Sequence, residues 1–168
     1  MARPASGTPA TVALDRAGVP YTLHAYDLGR QAVPGKTGAT SYGETVAGAI
    51  EADPAQVFKT LVAQVDGRLT VAVVPVAGSL DLKALAAAVG GKRADLAEVA
   101  IAERTTGYVI GGISPLGQRT QLPIVVDSTA LGFESIFVSA GKRGLQLQLA
   151  PADLIRLTKA IVASVARQ

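Results

Sequence analysis

Apolar residues change their period several times along the chain, and each change marks an element. Ala13, Leu14 and Ala17 recur at helical spacing behind Thr8-Pro9 and ahead of Gly18, predicting a short helix with an N-cap, a first-turn proline and a glycine stop. From Tyr21 to Leu28 the period drops to two: Tyr21, Leu23 and Ala25 alternate against Thr22, His24 and Tyr26, as in a half-buried strand. Residues 29–43 have no apolar period and are rich in Gly, Pro, Ser and Thr, so they read as a loop of the length that functional loops have. Thr45 to Ile50 reads as a short helix. Asp53-Pro54-Ala55-Gln56 then offers one capped turn, with Gln56 closing the capping box, that leads into Val57-Phe58-Lys59-Thr60.

The plainest hairpin follows: Leu61 to Val65, the tight turn Asp66-Gly67, and Thr70 to Val74, closed by Pro75. Asp81 is placed to cap a helix through Val89 that ends at Gly90-Gly91, and Asp95 with Glu98 to start another of about two turns. Beyond Gly107 the pattern predicts strands at Tyr108–Ile110, Ile124–Asp127, Ser135–Val138 and Gln146–Leu149. Leu154, Ile155, Leu157, Ile161, Val162 and Val165 then form a broad apolar face, predicting one amphipathic helix from Pro151 to Ala166. The result is a mixed α/β domain without repeats, whose strand order the pattern leaves open.

Length and composition limit what such a domain does. The 168 residues, 49% of them apolar, are enough for one core, so a single domain over 1–168 is expected, with residues 1–7 as a disordered tail. Sixteen Lys and Arg (16) against 13 Asp and Glu leave only +3, with no block of like charges, which excludes a polycationic binder. A pI near 9.4 still suits a compact basic pocket for an acidic ligand. The start of the chain has no hydrophobic run behind its charge, and no stretch reaches the roughly 18 apolar residues of a membrane helix. A cytoplasmic protein without a membrane partner is expected.

With one histidine and no cysteine, clusters of paired His or Cys ligands are absent, and neither a catalytic metal nor a thiolate nucleophile is expected. A serine triad would need His24, which sits mid-strand beside no Gly-x-Ser-x-Gly elbow and reads better as structural. Gly35-Lys36-Thr37 resembles the tail of a phosphate loop but has Arg30 where the earlier glycine belongs, so the match is accidental. Three features stay open on spacing alone. Gly111-Gly112-Ile113-Ser114-Pro115-Leu116-Gly117 is either a ligand-approaching loop or a sharp turn. Lys59 is either a cleft cation or a solvated lysine. Ser139-Ala140-Gly141-Lys142-Arg143-Gly144 is either a phosphate nest or a plain hairpin turn.

Four blocks taken together resemble one family, the YbaK/EbsC proteins, bacterial Cys-tRNA(Pro) deacylases related to the editing domain of prolyl-tRNA synthetase. They are Val57-Phe58-Lys59-Thr60-Leu61; Val74-Pro75-Val76-Ala77-Gly78 with Leu80-Asp81-Leu82-Lys83; Arg104-Thr105-Thr106-Gly107-Tyr108 running into Gly111–Gly117; and Ser139–Leu145. The resemblance covers nearly the whole chain. It implies a mixed, partly barrel-like sheet flanked by helices, and a pocket for the 3′-terminal adenosine of an aminoacyl-tRNA with its esterified amino acid.

By the same resemblance, Lys59 and Gly111 fall on the positions that carry the reaction, and Tyr26, Tyr42, Thr60, Gly112, Ser114, Pro115 and Ser139 on substrate-binding positions, with no cofactor and no metal. The implied reaction is attack of the substrate cysteine's own thiol on its ester carbonyl, with Lys59 a positioning charge and prolyl-tRNA synthetase an expected partner. Two positions depart from the pattern: Tyr42 stands where a phenylalanine is usual, and Gln146 where an acidic residue is frequent. The alternatives are a deacylase for another small aminoacyl ester such as Ala-tRNA(Pro), and a non-catalytic module that binds tRNA or the synthetase.

Overall fold

The structure, a computed structural model, describes residues 7–27 and 42–167. The expected tail (apart from Gly7), Leu28, the Gly35-Lys36-Thr37 segment and the 29–43 loop up to residue 41 lie outside the described residues. Thr8 caps α1 (Pro9–Ala17) as predicted, its Oγ1 accepting from the Thr11 N–H at 3.2 Å, and Gly18 ends the helix. β1 (Thr22–Ala25) is shorter than the alternation suggested, with Tyr26 just past its end. α2 (Tyr42–Ala49) begins at Tyr42 rather than Thr45, so Tyr42 belongs to a helix and not to a loop. The capped turn forms, with the Ala55 N–H donating to Asp53 Oδ1 at 2.9 Å. Gln56 does not close a capping box, because its amide donates to the Ser135 carbonyl at 2.8 Å.

The predicted hairpin is β2 (Phe58–Val65) and β3 (Arg68–Pro75), in register from Phe58↔Pro75 to Val65↔Arg68. β4 (Ser79–Leu80) precedes α3 (Leu82–Ala88), whose cap is Asp81, accepting from the Ala84 N–H at 3.0 Å. The helix expected from Asp95 starts later. Asp95 lies in β5 (Ala94–Leu96), which pairs antiparallel with the far end of β2, and α4 (Val99–Thr106) begins behind Glu98, whose side chain makes no cap bond. Pairing with a neighbouring strand outweighed a plausible cap, a tertiary effect invisible to local pattern.

β6 (Ile124–Asp127) matches its prediction, and β7 (Ile136–Lys142) and β8 (Leu145–Leu149) differ only at their ends. Residues Tyr108–Ile110 are not a strand. They run into a turn in which the Gly112 N–H donates to the Val109 carbonyl at 2.9 Å. The single terminal helix is also corrected: α5 (Pro151–Thr158) stops at Lys159, which takes a left-handed φ of 56°, and β9 (Ile161–Ala163) and β10 (Ala166–Arg167) follow. Buried Asp127 draws the chain away from a helix, its Oδ1 accepting from the Val165 and Ala166 N–H groups at 2.9 and 3.0 Å.

The larger sheet has the order β5-β2-β3-β6-β9, parallel at β3–β6 and β6–β9 and antiparallel elsewhere. A three-stranded antiparallel sheet, β1-β8-β7, meets it at one parallel bridge, Val57 with Phe137, and β4 pairs with β10. This is the mixed α+β fold expected; the sheets touch at that bridge without closing into a barrel. Phe58, Val62, Val71 and Val73 pack with Ile136, Val138 and Leu147 in one core, while Ala63, Val65, Ala72 and Val74 pack under Leu85 of α3 in another. β3 is buried on both faces, so its run Val71-Ala72-Val73-Val74 is continuously apolar rather than alternating. Among the described residues no helix is long and apolar enough to cross a membrane.

Candidate functional site

Val57, the residue before β2, bridges in parallel to Phe137 of β7, and the two sheets meet beside this bridge. Lys59 and Ser139 each lie two residues past that bridge on their own strands. Lys59 pairs with Val74 and is half-buried; its Nζ donates to the Gly78 carbonyl at 3.0 Å. Burial pushes its ammonium pKa below the usual value, and the Glu44 carboxylate in the first turn of α2 partly opposes that shift. This half of the site depends on close packing of α2, since a Cβ on Gly43 would sit 2.6 Å from Val76 Cγ1.

The other half gathers around Tyr42, one residue before Gly43. Burial, and then the neighbouring Tyr26 phenol, push the Tyr42 pKa up to about 12, while the Arg143 guanidinium pulls it back. Tyr26 is tied to the β7–β8 turn by its N–H, which donates to the Gly144 carbonyl at 3.0 Å. Its buried Oη meets no group in hydrogen-bonding geometry among the described residues.

The glycine-rich loop reaches the same turn. Gly111 has φ 86°, a conformation that side-chain-bearing residues rarely adopt, and a Cβ on Gly112 would lie 2.7 Å from Lys142 Cα and 2.9 Å from the Arg143 amide nitrogen. Two charged groups grip the peptide groups just before it. The Ile110 N–H donates to Glu103 Oε2 at 2.8 Å, and the Ile110 carbonyl accepts from Arg143 Nε at 2.9 Å. Buried Tyr108, whose phenol pKa burial raises strongly, braces the far end of the loop by donating to the Leu116 carbonyl at 2.6 Å.

Tyr26, Tyr42, Gly111, Gly112 and the β7–β8 turn therefore share one region, and the first turn of α2 links it to Lys59. The remaining expected residues are placed differently. Alternation turns Thr60 to the face of β2 opposite Lys59, and its buried Oγ1 has no partner among the described residues. Buried Ser139 faces Gln146 across the ladder; its Oγ accepts from the Gly141 N–H at 3.1 Å, and Gln146 Oε1 is left unpartnered. Ser114 is wholly buried, its Oγ accepting from the Leu116 N–H at 3.3 Å. Pro115 lines a separate cleft of about 250 Å³ with Gln118, Leu122 and Leu157.

His24 is structural, as expected: its Nε2 lies 2.9 Å from Gln148 Oε1 and its ring makes an edge contact with Phe137. Among the described residues no three His, Asp or Glu side chains gather as metal ligands. Sequence reasoning missed Glu44, Glu103 and the Gly78 carbonyl. The first two read as ordinary helix-surface acids, and a backbone acceptor leaves no signature in residue types.

With this geometry in hand, the similarities to known proteins are specific. The model of the aminoacyl-tRNA editing domain matches residues 37–157. The chain belongs to this family. The editing domain is 41% identical over 125 residues, 73% of this chain and 75% of the relative, to EbsC of Enterococcus faecalis, a candidate Cys-tRNA(Pro)/Cys-tRNA(Cys) deacylase. It is 32% identical over 106 residues, 60% of this chain and 64% of the relative, to ProXp-y of Escherichia coli K12, a multifunctional Ser/Thr-tRNA deacylase. The resemblance to YbaK/EbsC proteins drawn from the four sequence blocks is thereby borne out. In fold, the editing domain superposes with a TM-score of 0.81 on the crystal structure of a candidate trans-editing enzyme for prolyl tRNA synthetase, at 24% identity and covering 99% of this chain and all of that one (100%).

Proposed function

We propose that this editing domain, an aminoacyl-tRNA deacylase, acts in trans on mischarged Cys-tRNA(Pro), with the 3′-terminal adenosine and its ester held between Lys59 and the Gly111–Gly112 loop. The observation that carries the reading is a pair of buried polar atoms beside the motif turn, Tyr26 Oη and Gln146 Oε1, that have no hydrogen-bond partner among the described residues. Each unsatisfied group costs about 1–3 kcal/mol. A polar ligand that supplies their partners offsets that cost.

Lys59 acts as a positioning charge toward the adenosine or its phosphate and is not a nucleophile. The loop, clamped through Ile110, presents the Gly111 region to the ester carbonyl, where backbone N–H groups stabilise the developing oxyanion. The substrate thiol attacks that carbonyl: a carbon–sulfur bond forms, the bond to the ribose oxygen breaks, and the thiol proton passes to the departing ribose hydroxyl. The cyclic thioester formed is then opened by water. Orientation supplies most of the rate in such an intramolecular step. The relationship to EbsC supports cysteine as the amino acid, and the likeness to a protein described for prolyl tRNA synthetase supports that synthetase as the partner.

A second reading is favoured by Gln146 Oε1, a buried acceptor that suits a hydroxyl side chain, with the relationship to ProXp-y behind it. Serine or threonine would then be released by a bound water. Initial rates of deacylation on Cys-, Ala-, Ser- and Thr-tRNA decide between them. Cysteine release fastest by at least about tenfold is expected; a hydroxyl amino acid released fastest would replace the primary reading, and binding without release of any would sink both.

A further inference from the structure

Four exposed cations surround the clamped loop: Arg104, Arg119, Lys142 and Arg143. None has a carboxylate partner in an ion pair among the described residues, where Arg93, Arg156 and Arg167 each have one. The fold brings them together from two distant stretches. The Arg119 N–H donates to the Thr106 carbonyl at 2.8 Å and the Thr120 N–H to the Thr105 carbonyl at 3.1 Å, which straps Arg119 against the end of α4 that carries Arg104. Arg119 then lies across Gly107, where a Cβ would come 3.3 Å from its Cβ and 3.8 Å from its guanidinium carbon. Past exposed Val109, Arg143 holds the Ile110 carbonyl and Lys142 backs Gly112. The one carboxylate in this stretch, Glu103, has an oxygen committed to the Ile110 N–H.

We propose that this ridge is a docking surface for the sugar–phosphate backbone of a tRNA acceptor stem, adjoining the loop that receives the terminal adenosine. The proposal rests on the deacylase reading only for its choice of nucleic acid. Unpaired exposed cations gain little from water beyond solvation, but beside a polyanion each displaces condensed counterions. The ridge exposes one sizeable apolar side chain, Val109, and no aromatic anchor, which fits a phosphate backbone better than a protein interface. A chain of only +3 carries it because its 13 acidic residues are largely placed elsewhere. Contact with the stem is therefore made by the deacylase itself.

The test compares wild type with the double variant Arg104→Gln, Arg119→Gln, leaving Lys142 and Arg143 in place beside the loop. Two measurements are made: anisotropy of labelled, unacylated tRNA(Pro) across a salt series, and hydrolysis of a cysteinyl ester of adenosine that lacks a stem. The variant should bind the tRNA at least about tenfold more weakly near 0.15 M salt, with a log–log salt slope smaller by about 0.9 for each cation removed. Hydrolysis of the small ester should stay within about twofold of wild type. Unchanged tRNA affinity or slope, or an equal loss of tRNA affinity and of ester hydrolysis, overturns the ridge; so does equal affinity of wild type for heparin, which would mark a generic polyanion surface. If wild type releases cysteine from neither the small ester nor Cys-tRNA(Pro), the deacylase reading fails while the anisotropy series still tests the ridge.

Discussion

Lys59 Nζ donates to the Gly78 carbonyl oxygen at 3.0 Å, which ties the start of β2 to the connection after β3 and holds the ammonium near the junction of the two sheets. Burial holds its pKa below 10.5. Between the folded value and 10.5 the unfolded chain keeps a proton that the folded chain has lost, so this group makes stability rise with pH in that window. Substrate anchoring, which needs the charge, falls over the same window. Chemical denaturation and deacylation rates measured side by side should thus move in opposite directions as pH rises toward 10, and Lys59→Met should remove the stability trend.

Tyr42 gives the opposite sign at higher pH. Its folded pKa, near 12, lies above the ordinary 10, so the folded chain retains a proton that the unfolded chain loses, and stability falls as pH rises from 10 toward 12. Tyr42→Phe should flatten this part of the stability curve. An unchanged alkaline limb in denaturant titrations would mean the phenol is not enclosed as described.

Gly112 lies against the backbone of Lys142 and Arg143, which cannot swing aside as a side chain would. Gly112→Ala should cost about 1–3 kcal/mol in thermal or denaturant unfolding and lower deacylation more than melting alone explains, because the loop must leave the turn that holds it. Gly132→Ala, at an exposed site with nothing within 4 Å, is the control and should leave both unchanged.

Asp127 accepts from two backbone N–H groups of the C-terminal segment and from Thr129 Oγ1 at 2.6 Å. Asp127→Ala strands those donors, and unfolding measurements should show a loss of at least about 3 kcal/mol, with β10 released from β4 in hydrogen exchange.

Asp127 also shows where local pattern stopped being informative. Ile161, Val162 and Val165 continue the helical spacing of α5, yet a carboxylate nearly forty residues earlier collects the backbone beyond Lys159, a long-range partner that no period reveals. Asp95 looks like a cap, but Val65↔Ala94 pairing makes it a strand residue. Elements whose signals are local, such as the cap at Thr8, the cap at Asp81 and the turn at Asp66-Gly67, were legible.

The site divided in the same way. Spacing left Lys59 and the Gly111–Gly112 loop open, and only the family resemblance made them candidates. The grip on Ile110 by Glu103 and Arg143, and the charge of Glu44 beside Lys59, depend on α4, α2 and the β7–β8 turn meeting in space.

The central claim is that Lys59 positions an aminoacyl ester for release. Single-turnover deacylation of Cys-tRNA(Pro) by wild type and Lys59→Ala, with both proteins shown to melt cooperatively, tests it most directly. Wild type should release cysteine, and the variant should lose at least about 100-fold in rate or apparent affinity. A folded variant that releases cysteine at the wild-type rate would contradict the account.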